Sequence, residues 1–477
     1  LTTTEPAPTT GRQRLALSAV LAATFMGQVD GFIVTVAAPS LQRDLPATFG
    51  QVQLVGASYV LAAAAGLVMG GRLGDRYGRR KVFLAGVAVF TLASLLCGLA
   101  PTAAVLIAAR FAQGSAAAAL IPQELALIRS MFTESTGLAR AMSAYGVVVG
   151  LGVVAGIAGG GVLVHWDLAG LGWRSAFLIN VPIGAAILAA GRAIAESRSE
   201  RAPTLDLAGA GLVAVGLPAL LLPVVLGPEI GSTWLWLSAA VGVLAASALV
   251  LQQRAASARG GDPLFPARVL AAPGMRTGLA AIGLFFAGNS GLFLVFTFYT
   301  QTGLGHDALT AGLMFVPLGI AFAAGSSVSD RLTARFGPRL PVLGCLLLAT
   351  ALLAHLLVVR AAPEAQTVLL GAAICAVGLA EGLVVSPLIA GIFDRVHPDD
   401  AGATSGAAST ITQIGLATGF ASVGVWYRFV LGGEPGTAGF AAEDHVRAYS
   451  SAITVLAAAA VVTSGLCLLR LRAQREG

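Results

Sequence analysis

From Leu15 to Leu469 the chain repeats one unit, an apolar run of about 20 residues, with charge almost confined to the gaps between runs. Because a hydrocarbon core about 30 Å thick is crossed by about 20 helical residues, and lipid leaves no water to satisfy a broken backbone, such runs can only be spanning helices. Windows of about 19 residues predict fourteen of them. The first six are Leu15 to Ala38, Val52 to Gly70, Val82 to Leu99, Ala103 to Leu127, Ala141 to Val164 and Ser175 to Ala190. Leu207 to Leu226 and Trp234 to Leu251 follow, and then Thr277 to Thr300, Thr310 to Ser329, Leu340 to Val359, Thr367 to Ile392, Ala401 to Trp426 and Ser450 to Leu469. The expected fold is an all-α membrane protein with 14 transmembrane helices. Charged residues make up 11% of the chain and apolar ones 56%, against about 25% and about 45–50% in a soluble domain, and the mean hydropathy is +0.84.

Cations are retained on the cytoplasmic side during insertion. With both termini cytoplasmic, Arg12, Arg14, the Arg72 to Lys81 cluster, Arg129, Arg140, Arg192, Arg198, Arg201, Arg254, Arg259, Arg268, Arg276, Arg331, Arg335, Arg339, Arg395, Arg470, Arg472 and Arg475 fall inside, and only Arg43, Arg360, Arg428 and Arg447 outside. A miscounted helix would invert every later loop, so the even count is supported along the whole chain. The net charge of +6 then reflects topology and not a nucleic-acid surface. The polar arm LTTTEPAPTTGRQR leads into an apolar run too long for a signal-peptide core, which predicts a retained first helix. Cys97, Cys345, Cys375 and Cys467 lie singly in apolar runs, as small core side chains do, with no metal or redox spacing.

The chain also repeats itself at longer range. GGRLGDRYGRRKV, Gly70 to Val82, follows the second helix as GSSVSDRLTARFGPR, Gly325 to Arg339, follows the tenth, and each carries Asp-Arg and then an aromatic-Gly-x-Arg. ARAMSAYGVVVGLGVVAG, Ala139 to Gly156, is echoed by AGATSGAASTITQIGLATG, Ala401 to Gly419. Like loops at like places predict two pseudo-symmetric six-helix bundles, residues 1–200 and 261–477, with two inserted linker helices in 201–260.

GGRLGDRYGRRK resembles the loop signature of the major facilitator superfamily, and four further segments resemble its fourteen-helix drug:proton antiporter branch. VDGFIVTVAAPSL, Val29 to Leu41, is similar to the helix 1 motif, with Phe32 in place of the usual Thr and Thr35 in place of Asn. RFAQG, Arg110 to Gly114, is similar to the helix 4 signature; GVVAGIAGGG, Gly152 to Gly161, to the glycine-rich helix 5 motif, with Ile157 replacing its proline; and WRSAFLINVPIG, Trp173 to Gly184, to the start of helix 6. The resemblance implies a latch at the cytoplasmic helix ends formed by Gly71, Asp75, Arg76, Gly78 and Arg79, with Asp330 and Arg331 as its second copy. It also implies a coupling role for Arg110 through a contact with helix 1 or helix 5.

Ionisable groups inside a bilayer are costly and point to function. Of the carboxylates only Asp30, Glu124 and Glu381 lie well within spans. Asp30 reads either as a proton carrier or as a permanently paired interhelical acid. Glu381, in GLAEGLVVSP, has small neighbours that leave room for a cavity and reads as a coupling or substrate contact. Glu124, two residues after Pro122, joins Asp30, Glu381 and Arg110 as a proton-coupling candidate; Arg110 is deep enough to need a partner. Gln28, Asp30, Asn289, Phe293 and Glu381 are the substrate-binding candidates, with the helix 9 aromatics Phe285, Phe286, Phe296, Phe298 and Tyr299 as either pocket or core. Gly152, Gly156, Gly160 and Gly161 predict close helix packing, and Asp206 an N-terminal helix acid.

Other classes are disfavoured. Lys81 is the sole lysine and follows no phosphate-binding loop, so the chain drives no ATP-powered pump by itself. His165, His306, His355, His397 and His445 are scattered, without the clustering an enzyme site needs. The expectation is a non-enzymatic, proton-coupled exporter of amphiphilic small molecules in the cytoplasmic membrane, working by alternating access as a monomer. Its only energy source is the proton gradient, with no cofactor, metal or nucleic acid; its partners are the substrate, protons and the bilayer. The alternatives are a narrow exporter of one specialised metabolite or antibiotic, or an importer or facilitator of the same fold.

Overall fold

The computed structural model describes residues 11–132, 134–198, 205–226, 232–259, 267–361, 366–393, 396, 401–436 and 439–476. The described residues form helices and their connections, with no strand. In chain order the helices are α1 (Gly11–Asp44), α2 (Phe49–Tyr77), α3 (Arg79–Gly98), α4 (Ala103–Met131), α5 (Ser135–Trp166), α6 (Ser175–Leu178), α7 (Asn180–Ala190), α8 (Leu207–Leu226) and α9 (Ser232–Ala258). The short α10 (Ala267–Ala271) precedes α11 (Met275–Phe298), α12 (Ala308–Leu313), α13 (Val316–Phe336), α14 (Leu340–Ala361), α15 (Gln366–Gly391), α16 (Ala401–Leu431) and α17 (Ala442–Glu476). Among the described residues, 13 helices are long and apolar enough to cross a membrane, and α8 adds a further apolar helix. All fourteen windows are therefore helical, the sixth split into α6 and α7 and the tenth into α12 and α13. Pro182 has no N–H to give the Leu178 carbonyl, which accounts for the break after α6.

Packing repeats between the halves. α2 lies on α4 as α13 lies on α15, and α1 on α5 as α11 on α16. Glycine sets the closest approaches: a methyl on Gly70 would collide with the Ala118 carbonyl, and one on Gly114 with that of Tyr59. The C-terminal half does the same, Gly325 seating on the Leu379 carbonyl and Gly378 on that of Leu318. α8 and α9 pack on each other, with Ser238 donating to the Ala219 carbonyl and Asp206 accepting from Gln252 and Gln253. Asp206 also accepts from the Gly209 N–H, as an N-terminal helix acid should. Through Leu217, Leu221 and Leu222, α8 covers the seam between α2 and α16, a role for the inserted pair that the sequence does not state.

The apolar core is continuous across both halves at the α1–α2 turn end, where Val36, Ala37, Phe49 and Trp173 join Phe298, Tyr299 and Tyr427. At the opposite end the N-terminal half has its own core around Val20, Phe83, Phe90 and Leu127. Polar contacts follow the same division. Gln301 donates to the Val36 carbonyl (2.9 Å), the Phe49 N–H to Glu434 (2.7 Å), Gln53 to the Phe420 carbonyl (2.6 Å), and His165 meets Asp307 at 2.7 Å.

The expected loop after the second helix is instead helical. α2 runs on to Tyr77 and breaks only at Gly78, whose φ of +108° no side chain adopts without strain. α13 likewise continues through its copy of the stretch to Phe336. Amphipathic charge at helix ends carries helix beyond the apolar window, which marks the bilayer and not the helix limit.

Candidate functional site

Asp30 is fully buried on α1, and three side chains converge on it. Arg110 Nη1 on α4 reaches Oδ2 at 2.6 Å; Gln113 Nε2 and Asn180 Nδ2 donate to Oδ1 at 2.7 and 2.9 Å. Ser94 on α3 accepts from both amides, at 2.6 and 2.9 Å. The Arg110 guanidinium also donates to the Val55 carbonyl and to Gln113 Oε1, and lies 4.3 Å over the Tyr59 ring. The cluster thus ties α1, α2, α3, α4 and α7 together. A buried ion pair is tolerated only when its remaining donors and acceptors find partners; here both Asp30 oxygens accept and Arg110 donates from Nε and Nη1, while Asn180 Oδ1 has no protein partner. Arg110 takes the helix 1 contact that the family resemblance implies, and not one on helix 5.

Glu124 lies about four turns beyond Arg110 along α4. Its Oε2 accepts from Thr24 Oγ1 at 2.8 Å, with the Tyr145 hydroxyl at 3.5 Å. It faces a cavity of about 280 Å³ between the halves, lined from one side by Gln28, Phe32 and Tyr59 and from the other by Asn289, Phe293 and Gln413. Glu381 on α15 is held by one donor, Asn289 Nδ2 at 3.0 Å. It opens on a separate cavity of about 20 Å³ among Leu348, Leu352 and Leu456, room for about one water. Asn289 borders both cavities.

The five substrate candidates therefore separate. Gln28, Asn289 and Phe293 line the larger cavity and Glu381 the smaller one, while Asp30 lines neither. The helix 9 aromatics divide likewise: Phe286 lines the larger cavity and Phe285 the smaller, while Phe296, Phe298 and Tyr299 are core. The helix 5 glycines split by face. A methyl on Gly152 would meet Gln28 Cβ at 2.6 Å, on Gly156 the Val29 carbonyl at 2.8 Å and on Gly160 Ile33 Cγ1 at 2.7 Å, all on α1; on Gly161 it would meet the Ala308 carbonyl across the seam at 2.5 Å.

At the opposite end, Asp75 pairs with Arg79 across the Gly78 break at 2.8 Å, within its own half. Gly71 is half-buried, with only Pro122 Cβ near a methyl placed on it, and Arg76 and Arg331 are exposed. The side chain of Asp330 lies outside the described residues. A carboxylate the sequence reading did not select joins this corner. Glu196, just past α7, accepts from the Arg80 N–H at 3.0 Å, and Gly78 leaves space for it. Gln113 and Asn180 were also missed, though both stand in quoted motifs, RFAQG and WRSAFLINVPIG. Weighing buried amides as heavily as buried charges would have found them. Ser94 and Thr24, small hydroxyls in apolar helices, offered no signal.

The sequence profile described as Major Facilitator Superfamily matches residues 20–420. The chain is 35% identical over 90% of its length to the "Probable actinorhodin transporter" of Streptomyces coelicolor, covering 74% of that protein. It is 36% identical over 86% of its length to "Puromycin resistance protein pur8" of Streptomyces alboniger, covering 81%, and 35% identical over 86% to "Multidrug resistance protein Stp" of Mycobacterium tuberculosis, covering 75%. In fold it resembles a bacterial homologue of the human lysosomal transporter Spinster, with a TM-score of 0.69, 16% identity and 98% of each chain covered.

Proposed function

The chain belongs to the Major Facilitator Superfamily as a multi-pass membrane transporter and not an enzyme, and from that premise we propose that it exports amphiphilic small molecules from the cell in exchange for protons, by alternating access. The observation that carries this reading is the cavity between the halves, which combines aromatic rings, amides and one carboxylate and stands beside a sealed seam at one end. With the termini cytoplasmic, as the cations favour, the sealed end is the outer one. Residues 1–200 and 261–477 would then be the two moving units, with 201–260 riding over their seam. In this reading Asp30 and Arg110 form the coupling centre, which a proton engages by releasing Arg110, and Glu381 a second proton site in the other half. The Asp75–Arg79 corner would join its C-terminal copy only when the inner end closes.

The test uses inside-out vesicles with an acidic interior, to which amphiphiles are added one at a time while interior pH is followed. Proton efflux with a compound in the wild type, lost in Asp30→Asn, is the expected result. Labelled uptake without proton movement would replace antiport by facilitated or differently coupled transport. A narrow exporter of one antibiotic is the second reading, favoured because two relatives are named for a single compound, actinorhodin and puromycin. A response to one compound in a broad panel would select it.

A further inference from the structure

We propose that the open groove between α14, α16 and α17 binds one membrane phospholipid with an ammonium headgroup, its phosphate on Arg360 and Arg447 and its ammonium on Glu443. The site goes beyond the export reading, since it shares no residue with either cavity or with the buried acids. The groove encloses about 830 Å³ at one end of the C-terminal half. Arg360 stands in the last turn of α14, Glu443 and Arg447 in the first two turns of α17, and Trp426 in the last two turns of α16.

From Glu443 to Val455 the groove follows α17 over about 18 Å, close to the hydrocarbon depth of one leaflet, about 15 Å. Charge is confined to the helix ends. Further along α17 the wall turns to hydroxyl, with Ser450, Ser451 and Thr454, and then to Val455. Ser450 is buried and its Oγ has no protein partner. Ser451 Oγ accepts from Trp426 Nε1 at 2.9 Å and keeps its own proton to donate. Acyl chains offer these hydroxyls no acceptor, whereas ester carbonyls do. Charge, then hydroxyl, then hydrocarbon is the order of a phospholipid: phosphate, glycerol ester, chain.

The charges choose the headgroup. Arg447 is 61% exposed and gives Nη2 to Asp444 at 2.8 Å, which leaves most of its N–H fork for phosphate. Arg360 is exposed and lines the same groove from α14. Glu443, one turn before Arg447, lines it with an exposed carboxylate. Two guanidinium groups and one carboxylate match a phosphate carrying an ammonium; a headgroup with only negative charge would meet Glu443 unfavourably. The surroundings match lipid too. Trp426 has the amphipathic ring found at membrane interfaces, and beside it Phe429, with ring centroids 6.1 Å apart, is 75% exposed.

The test is native mass spectrometry of the full chain, stripped of lipid in detergent and titrated with dioleoylphosphatidylethanolamine, dioleoylphosphatidylglycerol or dioleoylglycerol. The side chains to be changed are exposed, so the variants should melt like wild type. We expect the ethanolamine lipid to bind wild type about fivefold more tightly than the glycerol lipid, and dioleoylglycerol not to compete. Arg360→Gln combined with Arg447→Gln should weaken ethanolamine-lipid binding about tenfold. Glu443→Gln should bring the glycerol lipid level with the ethanolamine lipid. Competition by dioleoylglycerol, undiminished binding by the double variant, or an unchanged headgroup preference in Glu443→Gln would each overturn the proposal. A lipid-free dimer of wild type that Trp426→Ala dissociates would also overturn it, by showing that a second copy fills the groove. No transport is measured, so failure of the export reading leaves the lipid site standing.

Discussion

The two halves place the same glycine seats under different chemistry. Gly114 rests on the Tyr59 carbonyl in one half and Gly378 on the Leu318 carbonyl in the other. Four residues before Gly114 stands Arg110, bound to Asp30; four residues before Gly378 stands Ile374, fully buried in the apolar core. The C-terminal half places its acid three residues after the seat, at Glu381, with a single amide donor. One half thus has a buried ion pair tying five helices together, and the other a carboxylate held by one neutral amide. A shared scaffold fixes how closely helices approach, while the residue one turn away decides whether a charge pair or an apolar contact fills the junction.

The strongest way to break this comparison is to remove the cation. Arg110→Ala leaves Asp30 buried without its counter-charge, which costs about 3–5 kcal/mol; we expect a large fall in the thermal midpoint in detergent together with loss of export. A midpoint close to wild type would show that the pair does not lock the N-terminal half. Glu381→Gln is the matching change on the other side. The new amide can still accept from Asn289, so the stability change should stay within about 1 kcal/mol, while the pH profile of export flattens. A destabilisation as large as that of Arg110→Ala would erase the distinction between the halves.

Smaller effects sharpen it at the helix ends. The Asp75–Arg79 pair is part-exposed, with side chains 34% and 26% accessible, and such pairs contribute about 0.2–1 kcal/mol. Asp75→Asn should therefore insert and melt like wild type and export more slowly; normal turnover by a well-expressed variant sinks the latch. At the seam where α5 meets α12, hydrogen bonds from Thr310 hold the Asp307 carboxyl below the ordinary range, with His165 adding to them. A lowered folded-state value gives a contribution that is complete above the unfolded range and lost only as pH falls through the lowered one. Spin-label distances across the seam should hold constant from neutral pH to pH 5 and lengthen only below about pH 4; lengthening already at pH 5 would remove Asp307 from the clasp.

Much of the fold was legible because bilayer physics writes itself into length and hydropathy, so all fourteen windows are helical. Helix ends were less legible. α2 continues seven residues past Gly70, since Leu73 to Tyr77 favour helix once water is there to solvate their charge. Of the site, Asp30, Glu124, Glu381 and Arg110 were legible because a charge in an apolar run has no cheap reason to be there. Their partners Gln113 and Asn180 were harder to read, as an amide costs less to bury.

By itself the sequence determined the spans, their repeat and which charges had to be buried, because each follows from transfer of residues between water and lipid along a single segment. The tertiary structure alone decided which acid meets which partner. Asp30 and Arg110 are 80 positions apart, and Glu381 and Asn289 are 92. Whether a carboxylate is saturated or faces an open cavity depends on how neighbouring helices are rotated and seated, which no single span encodes.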